Sequence, residues 1–294
     1  MNTKSEQMIV WATRASVAVA FSLLVLKLYA WFATGSLGIL AALVDSLLDL
    51  GASVINMFAV RYALEPADEE HRFGHGKAEA LAGLGQSIFI ASSAVFLVIY
   101  TVERLMNPQL IESPEVGTWV MVISMALTLL LVTYQRRVVA ETGSIAIKAD
   151  SLHYSADLVT NAGILIGLGL YYFGWTYSDP VIALLIGLYI FKCAAEIGYE
   201  SIQLLLDREL PKEDQEKIRE LAAVTKGVIE VHDVRTRQSG QTKFIQLHLV
   251  MDGHISLIEA HQLSDKVETV LRQSFPSADI IIHQDPHTEV LSTE

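Results

Sequence analysis

Two pairs of polar residues stand four positions apart inside apolar stretches of the chain. Asp45 and Asp49 lie within residues 37–60, and His153 and Asp157 repeat the spacing in a later stretch. Residues at i and i+4 share one helix face, so two facing helices would offer three carboxylates and one imidazole to a single point. Burying three aspartates in lipid costs roughly 8–10 kcal/mol, at ~2.5–3.5 kcal/mol each. A divalent cation bound by them would offset that cost.

The ligand types narrow the choice of metal. Oxygen and imidazole ligands without a thiolate favour Zn²⁺, Fe²⁺, Mn²⁺, Co²⁺ or Cd²⁺ over Cu⁺, and four ligands favour tetrahedral binding over octahedral Mg²⁺. The one cysteine, Cys193, leaves no thiolate cluster to consider. The alternative is a salt bridge from Lys27 to Asp45. One lysine neutralises one aspartate, however, and leaves the other polar groups uncompensated.

The apolar stretches are long enough to cross a membrane. About 20 apolar residues in a helix span a hydrocarbon core of ~30 Å. Three segments have no charged residue and three more are nearly as apolar: 80–102, 116–135 and 158–178, then 10–33, 37–60 and 180–206. The sequence therefore predicts an α-helical membrane protein with six transmembrane helices.

The basic residues predict the orientation of these helices. They concentrate beside the even-numbered loops, at Arg61, Arg72, Lys77, Arg136, Arg137 and Lys148, against Arg104 alone beside the odd-numbered loops. The positive-inside rule then places both termini in the cytoplasm. With a rise of 1.5 Å per residue, the two aspartate and histidine pairs lie ~12–18 Å from the faces where their helices start, within about one turn of the midplane.

The composition changes after about Asp207, where charged residues become frequent and apolar runs shorten to strand length. We expect a transmembrane domain over residues 1–206 and a cytoplasmic metal-binding domain over residues 207–294. The second domain is predicted as an α+β ferredoxin-like fold in the order αββαβ, with elements at 211–224, 228–238, 243–251, 256–275 and 278–284. A net charge of −12 without a basic stripe argues against a nucleic acid partner and suits a protein that handles cations.

Two further histidine clusters lie outside the apolar stretches. Asp68, His71 and His75 form D-x2-H-x3-H in the loop after the second span, a pattern that can hold a metal, although such loops are commonly just solvated.

In the tail, a hairpin turn at residues 239–241 places His232 opposite His248, ~5 Å apart. His283 and Asp285 share a face of the last strand, and His261 on the second helix could complete the set. The alternative is surface histidines on a half-wet sheet.

Four segments of the chain together resemble the cation diffusion facilitator family: LVDSLLD at 43–49, RFGHGKAE at 72–79, ADSLHYSAD at 149–157 and HQDP at 283–286. The resemblance covers nearly the whole chain. It implies a homodimer in the bacterial inner membrane that exports divalent metal in exchange for protons. It also implies a second metal site at the loop and a binuclear tail site bridged by Asp285. Zinc-specific members often carry histidine where this chain has Asp45, so Zn²⁺, Fe²⁺ and Cd²⁺ all remain candidates.

Three functions compete for these features. The leading one is a proton-coupled exporter that works by alternating access, with the metal as transported substrate and, in the tail, as a structural or regulatory ion. An intramembrane metalloenzyme would need a motif such as H-E-x-x-H, which the sequence lacks. The sequence also contains no nucleotide-binding loop that would indicate an ATP-driven pump. We therefore expect a secondary transporter and not an enzyme. A metal-gated channel or membrane metal sensor remains the alternative.

Overall fold

Long helices make up the N-terminal part of the chain. The structure is a computed structural model that describes residues 4–34, 37–106, 115–172 and 178–287. Six long helices occur within these ranges: α1 (Lys4–Thr34), α2 (Leu37–Ala63), α3 (Lys77–Met106), α4 (Glu115–Thr142), α5 (Ile145–Tyr172) and α6 (Ser178–Leu205). Backbone contacts divide the chain into two compact units, residues 1–202 and 203–294.

Five helices within the described ranges are long and apolar enough to cross a membrane: Lys4–Ala33, Ala42–Ala63, Lys77–Glu103, Met121–Thr142 and Pro180–Leu205. The remaining long helix, α5, carries Lys148, Asp150 and Asp157 in its first half. It begins at Ile145, well before the uncharged segment 158–178, so the polar residues of interest lie inside the helix. The number of six membrane spans stays a prediction.

The outer surface of the helical unit is apolar. Phe32, Ile55 and Phe96 are each more than 70% exposed. Small clusters fill the interior, one of them built from α1, α2, α4 and α5 around Ile9 and Ile147. Lipid tails are as apolar as these side chains, so their exposure carries no penalty in a bilayer, and polar contacts gain importance in joining the helices.

The second unit is a three-stranded sheet covered on one face by two helices. Its elements are α7 (Lys212–Ala223), β1 (Glu230–Ser239), β2 (Thr242–Asp252), α8 (Leu257–Ser274) and β3 (Asp279–His287). The sheet order is β1-β2-β3, with β1 antiparallel and β3 parallel to the central strand. Gly240 turns the hairpin at a φ of 56°, and His232 pairs with His248 as the turn predicts.

Alternation along β2 separates an apolar face from a polar one. Ile245, Leu247 and Leu249 are buried in the core, together with Val267 and Leu271 of α8. The residue between the two leucines is His248, so its side chain lies on the opposite face of the sheet. The third strand runs three residues beyond its predicted end because it pairs with β2 as far as Asp252, which brings the sequence after residue 284 into the sheet.

The apolar side of α8 should dominate the stability of this unit. In a fragment of residues 203–294, Leu271→Ala should lower the free energy of unfolding by about 2–5 kcal/mol, because Leu271 is fully buried. Leu257→Ala is the matched control on the same helix, since Leu257 is 79% exposed, and should change it by less than about 0.5 kcal/mol. Urea denaturation followed by circular dichroism measures both. Equal effects would show that α8 does not pack on the sheet as described.

Candidate metal centres

The first centre joins α2 to α5 inside the helical unit. Asp49, His153 and Asp157 each offer one ligand atom, and these atoms all lie within 4.8 Å of one another. His153 Nε2 lies 2.9 Å from Asp49 Oδ1. Both side chains are buried, at 8% exposure. The arrangement offers two carboxylates and an imidazole to one cation, in surroundings where an uncompensated charge is costly.

A hydrogen bond aligns the two helices that carry this centre. The hydroxyls of Ser53 on α2 and Tyr154 on α5 lie 2.7 Å apart. Ser53 is one turn beyond Asp49, and Tyr154 directly follows His153. The Phe89 ring packs 5.8 Å from the His153 ring on another side. In this structure the Ser53–Tyr154 contact sets the height of α5 against α2, and therefore the distance between their ligands.

Asp45 lies outside this cluster, so the structure brings together three of the four predicted ligands. It is one helical turn before Asp49, about 6 Å along the axis, and its side chain is exposed. Lys27 does not form the alternative salt bridge with Asp45 in this structure. Its Nζ donates to Ser46 Oγ at 2.6 Å and to the Ala42 carbonyl at 3.2 Å, both neutral oxygens of α2.

The second centre is the loop between α2 and α3, where Asp68, His71 and His75 also meet within 4.8 Å. Asp68 Oδ2 lies 3.3 Å from His75 Nε2, and Asp68 Oδ1 lies 3.5 Å from His71 Nδ1. His75 is buried against the Tyr62 ring, whereas His71 is exposed. The loop thus presents an acid and two imidazoles from a side that solvent reaches.

The backbone orients the acid of this loop. The N–H groups of Glu70 and His71 donate to Asp68 Oδ1 at 2.9 and 2.6 Å. The His71 bond, followed by the second one, holds the pKa of Asp68 below its ordinary value. Gly74 adopts a φ of 77°, which lets the chain turn back toward α3 at little steric cost.

The third centre lies on the uncovered face of the tail sheet. His232, His248 and Asp285 meet within 4.8 Å. Asp285 Oδ2 lies 2.8 Å from His248 Nδ1 and 3.3 Å from His232 Nε2, and its Oδ1 lies 3.3 Å from His283 Nε2. The His283 ring packs 4.5 Å from the His248 ring, because parallel pairing sets these residues side by side.

The hydrogen bond with His248, followed by the charges of the neighbouring imidazoles, holds the pKa of Asp285 below its ordinary value. Asp285 is therefore ionised throughout the neutral range, the form that a metal ligand needs. The predicted fifth member, His261, does not join this cluster in the described chain. It is exposed on α8, and its Nε2 lies 3.7 Å from Asp265 Oδ2.

Two acidic residues near these centres were not predicted. Asp233 Oδ2 lies 3.6 Å from His248 Nε2, because a bulge after His232 moves it out of strict alternation at a φ of 45°. The sequence gives no indication of that bulge. Asp150 lies one turn before His153 on α5 and is fully buried. Its i, i+3 spacing from His153 was a readable signal.

The chain is similar to known proteins over nearly its whole length. Residues 13–206 match the family described as the cation efflux transmembrane domain, and residues 210–287 match the cytoplasmic domain of cation efflux proteins. The cation-efflux pump FieF of Pectobacterium atrosepticum is 50% identical over 290 residues, covering 99% of this chain and 97% of the relative. FieF of Salmonella typhimurium is 49% identical over 286 residues, with coverages of 97% and 95%. A solved structure of CzrB in its Zn form shares 38% identity over 28% of this chain and 96% of that chain, with a TM-score of 0.26.

The contacts of Asp285 predict a specific loss. In the 203–294 fragment, Asp285→Ala should lower the number of Zn²⁺ ions bound, because it removes the carboxylate that contacts three imidazoles. Asp279→Ala, an exposed residue at the start of the same strand, is the matched control and should bind as the parent does. Titration calorimetry reads stoichiometry and affinity. Unchanged values for Asp285→Ala would show that Asp285 is not a ligand.

Proposed function

The chain belongs to the cation efflux family, and from this membership we propose that it exports divalent metal cations from the cytoplasm in exchange for protons. The observation that carries the proposal is the cluster of buried Asp49 and His153 with half-buried Asp157, in helices of a membrane unit. Intramembrane ionisable residues that converge on one point are a functional site by default. The description of the relatives as cation-efflux pumps supports the outward direction of transport.

Competition for the same lone pairs supports proton exchange. The contact between His153 Nε2 and Asp49 Oδ1 needs a hydrogen between the two atoms. A proton held there occupies the nitrogen lone pair that a metal would use, so metal binding must displace it. In an alternating-access cycle, protons from outside would release the metal, and cytoplasmic metal would release the protons.

The proposed arrangement in the membrane follows from the helices and the basic residues. We place six spans in the bacterial inner membrane with both termini in the cytoplasm, on the strength of the basic residues beside the even-numbered loops. The tail then forms a ferredoxin-like cytoplasmic domain, and the match to the family's cytoplasmic domain supports a homodimer. The loop and tail centres would hold ions that regulate or stabilise the transporter, about two of them bridged by Asp285.

Zn²⁺, Fe²⁺ and Cd²⁺ are the proposed substrates. The cluster in the helices combines hard carboxylate oxygens with one borderline imidazole, a donor set that suits all three ions. Asp45, one turn away on α2, is proposed as the fourth ligand in a state in which α2 shifts against α5. Loading the site would then draw Asp45 toward the cluster.

Metal uptake into sealed vesicles tests the proposed function. With purified protein in liposomes, Zn²⁺ uptake should saturate and depend on a pH difference across the membrane. Asp49→Ala should abolish the uptake, because it removes the carboxylate that contacts His153 and leaves the cluster with two of its three ligands. Glu141→Ala, an exposed residue at the end of α4, should transport normally.

The alternatives give different results in this assay. An ohmic current that follows voltage and ignores the pH difference would indicate a metal-gated channel, and no flux would indicate a sensor. Near-normal uptake by Asp49→Ala would show that Asp49, His153 and Asp157 do not bind the transported ion together, even if the protein transports.

A second substitution tests the role of ligand type in selectivity. His153→Asp keeps the number of ligands but replaces a borderline nitrogen with a hard oxygen, so the preference should move from Zn²⁺ toward Mn²⁺. Competition between the two metals for uptake measures the shift. If Zn²⁺ stays ahead of Mn²⁺ by the same ratio, the geometry of the site and not the ligand type sets the preference.

A further inference from the structure

A second carboxyl group is buried in the helical unit, outside the proposed ion ligands. Asp150 on α5 is 0% exposed. Its Oδ2 lies 2.5 Å from Ser16 Oγ of α1 and 2.6 Å from Gln135 Nε2 of α4, and its Oδ1 lies 3.1 Å from Gln86 Nε2 of α3. One side chain therefore joins four helices at a single point.

The surroundings of Asp150 contain no cation among the described residues that contact it. The side chains that reach it from α1, α3 and α4 are a serine and two glutamines, all neutral and all buried. The titratable groups that face it are His153 and Tyr154, both on its own helix. His153, the one of the two that can carry a positive charge, lies one turn away with its Nε2 on Asp49 Oδ1, so an ionised Asp150 would be buried here with no cation in contact, which is the costly arrangement.

The hydrogen bonds of Ser16 also favour a protonated Asp150. Ser16 Oγ accepts from Gln135 Nε2 at 2.9 Å and lies near two acceptors, the Ala12 carbonyl at 3.0 Å and Asp150 Oδ2 at 2.5 Å. A hydroxyl has one hydrogen and can serve only one of them. Both contacts are satisfied when Ser16 donates to the Ala12 carbonyl and Asp150 carries a second hydrogen that it donates to Ser16.

We propose that Asp150 is a positioning residue that works as a neutral carboxylic acid, holding α5 against α1, α3 and α4. Its backbone lies one turn before His153 and two turns before Asp157, so the four-helix junction sets the height and rotation of the helix that presents two ligands. This role of Asp150 does not depend on which metal is carried or on what drives the transport.

The same substitution at two positions of α5 tests the proposal. Asp150→Asn keeps the shape and the neutral charge of the acid and a donor toward Ser16, and its second N–H can be accepted by Gln135 Oε1 once that amide rotates, so Zn²⁺ uptake by the full-length protein should stay within about twofold of the parent. Asp150→Ala leaves Ser16, Gln86 and Gln135 without their partner and should lower uptake about 10–100-fold, the usual cost of losing the support of a ligand. Asp157→Asn is the matched control and should abolish uptake, because it removes an ionised ligand.

Three outcomes decide the matter. Retained uptake in Asp150→Asn with loss in Asp150→Ala supports the neutral junction. A loss in Asp150→Asn equal to that in Asp150→Ala, with a normal gel-filtration profile and helix content, means that the ionised form is needed and overturns the proposal. Normal uptake in Asp150→Ala means that Asp150 positions nothing. Parent protein that fails to transport would refute the proposed function instead.

A spectroscopic measurement tests the protonation directly, without transport. The infrared difference spectrum of the parent minus Asp150→Asn, at neutral pH in liposomes, should show the carbonyl stretch of a protonated carboxylic acid. The band should persist when Zn²⁺ is added, since Asp150 is not a ligand. Absence of the band at neutral pH would show that Asp150 is ionised and would overturn the proposal even if Asp150→Asn transports.

Discussion

The cost of placing carboxyl groups among apolar helices governs the helical unit. A buried acid is tolerated when an opposite charge pairs with it, or when it is neutral and its hydrogen bonds are complete. Asp49 and Asp157 are placed with an imidazole, and the set still lacks one positive charge when His153 carries a proton. Asp150 is surrounded by a hydroxyl and two amides. Helix α5 therefore carries both kinds of acid, Asp157 beside an imidazole and Asp150 among neutral groups. Only the cluster with Asp157 leaves room for an exchangeable cation.

The difference in charge balance matters for the proposed transport site, because the protein itself must not neutralise all the charges of a site that binds and releases a cation. Two carboxylates are balanced equally well by one divalent ion or by two protons, so either can replace the other without leaving a net buried charge. A lysine within the cluster would remove that exchange by supplying a fixed charge. Lys27 lies on α1 near the level of Asp45 and could have supplied such a charge. Its ammonium instead contacts Ser46 and the Ala42 carbonyl.

Much of this arrangement was readable from the sequence because it follows from repeating geometry. The i, i+4 spacing on two apolar helices predicted that Asp49, His153 and Asp157 meet, and the Gly240 turn predicted the His232–His248 pair. What escaped prediction depends on contacts between elements. Asp45 shares a face with Asp49, but spacing cannot tell which turn of α2 lies level with the ligands of α5. His261 was predicted to complete the tail set, and the sequence did not show that it would instead contact Asp265 on its own helix.

The tail illustrates how a sheet turns separate sequence positions into a site. Antiparallel pairing sets His232 beside His248, and parallel pairing sets His248 beside His283, so three imidazoles form a row across the strands. A row of this kind is spaced by the backbone ladder, ~5 Å between neighbours, and changes little unless strand pairing is lost. Asp285, two residues along β3, reaches back to all three. Ions held there would link the three strands on the face that α7 and α8 leave uncovered, in a domain of under 100 residues whose single apolar core offers limited stability. With ions bound as proposed, the histidine face and the apolar face would therefore stabilise the same sheet from opposite sides.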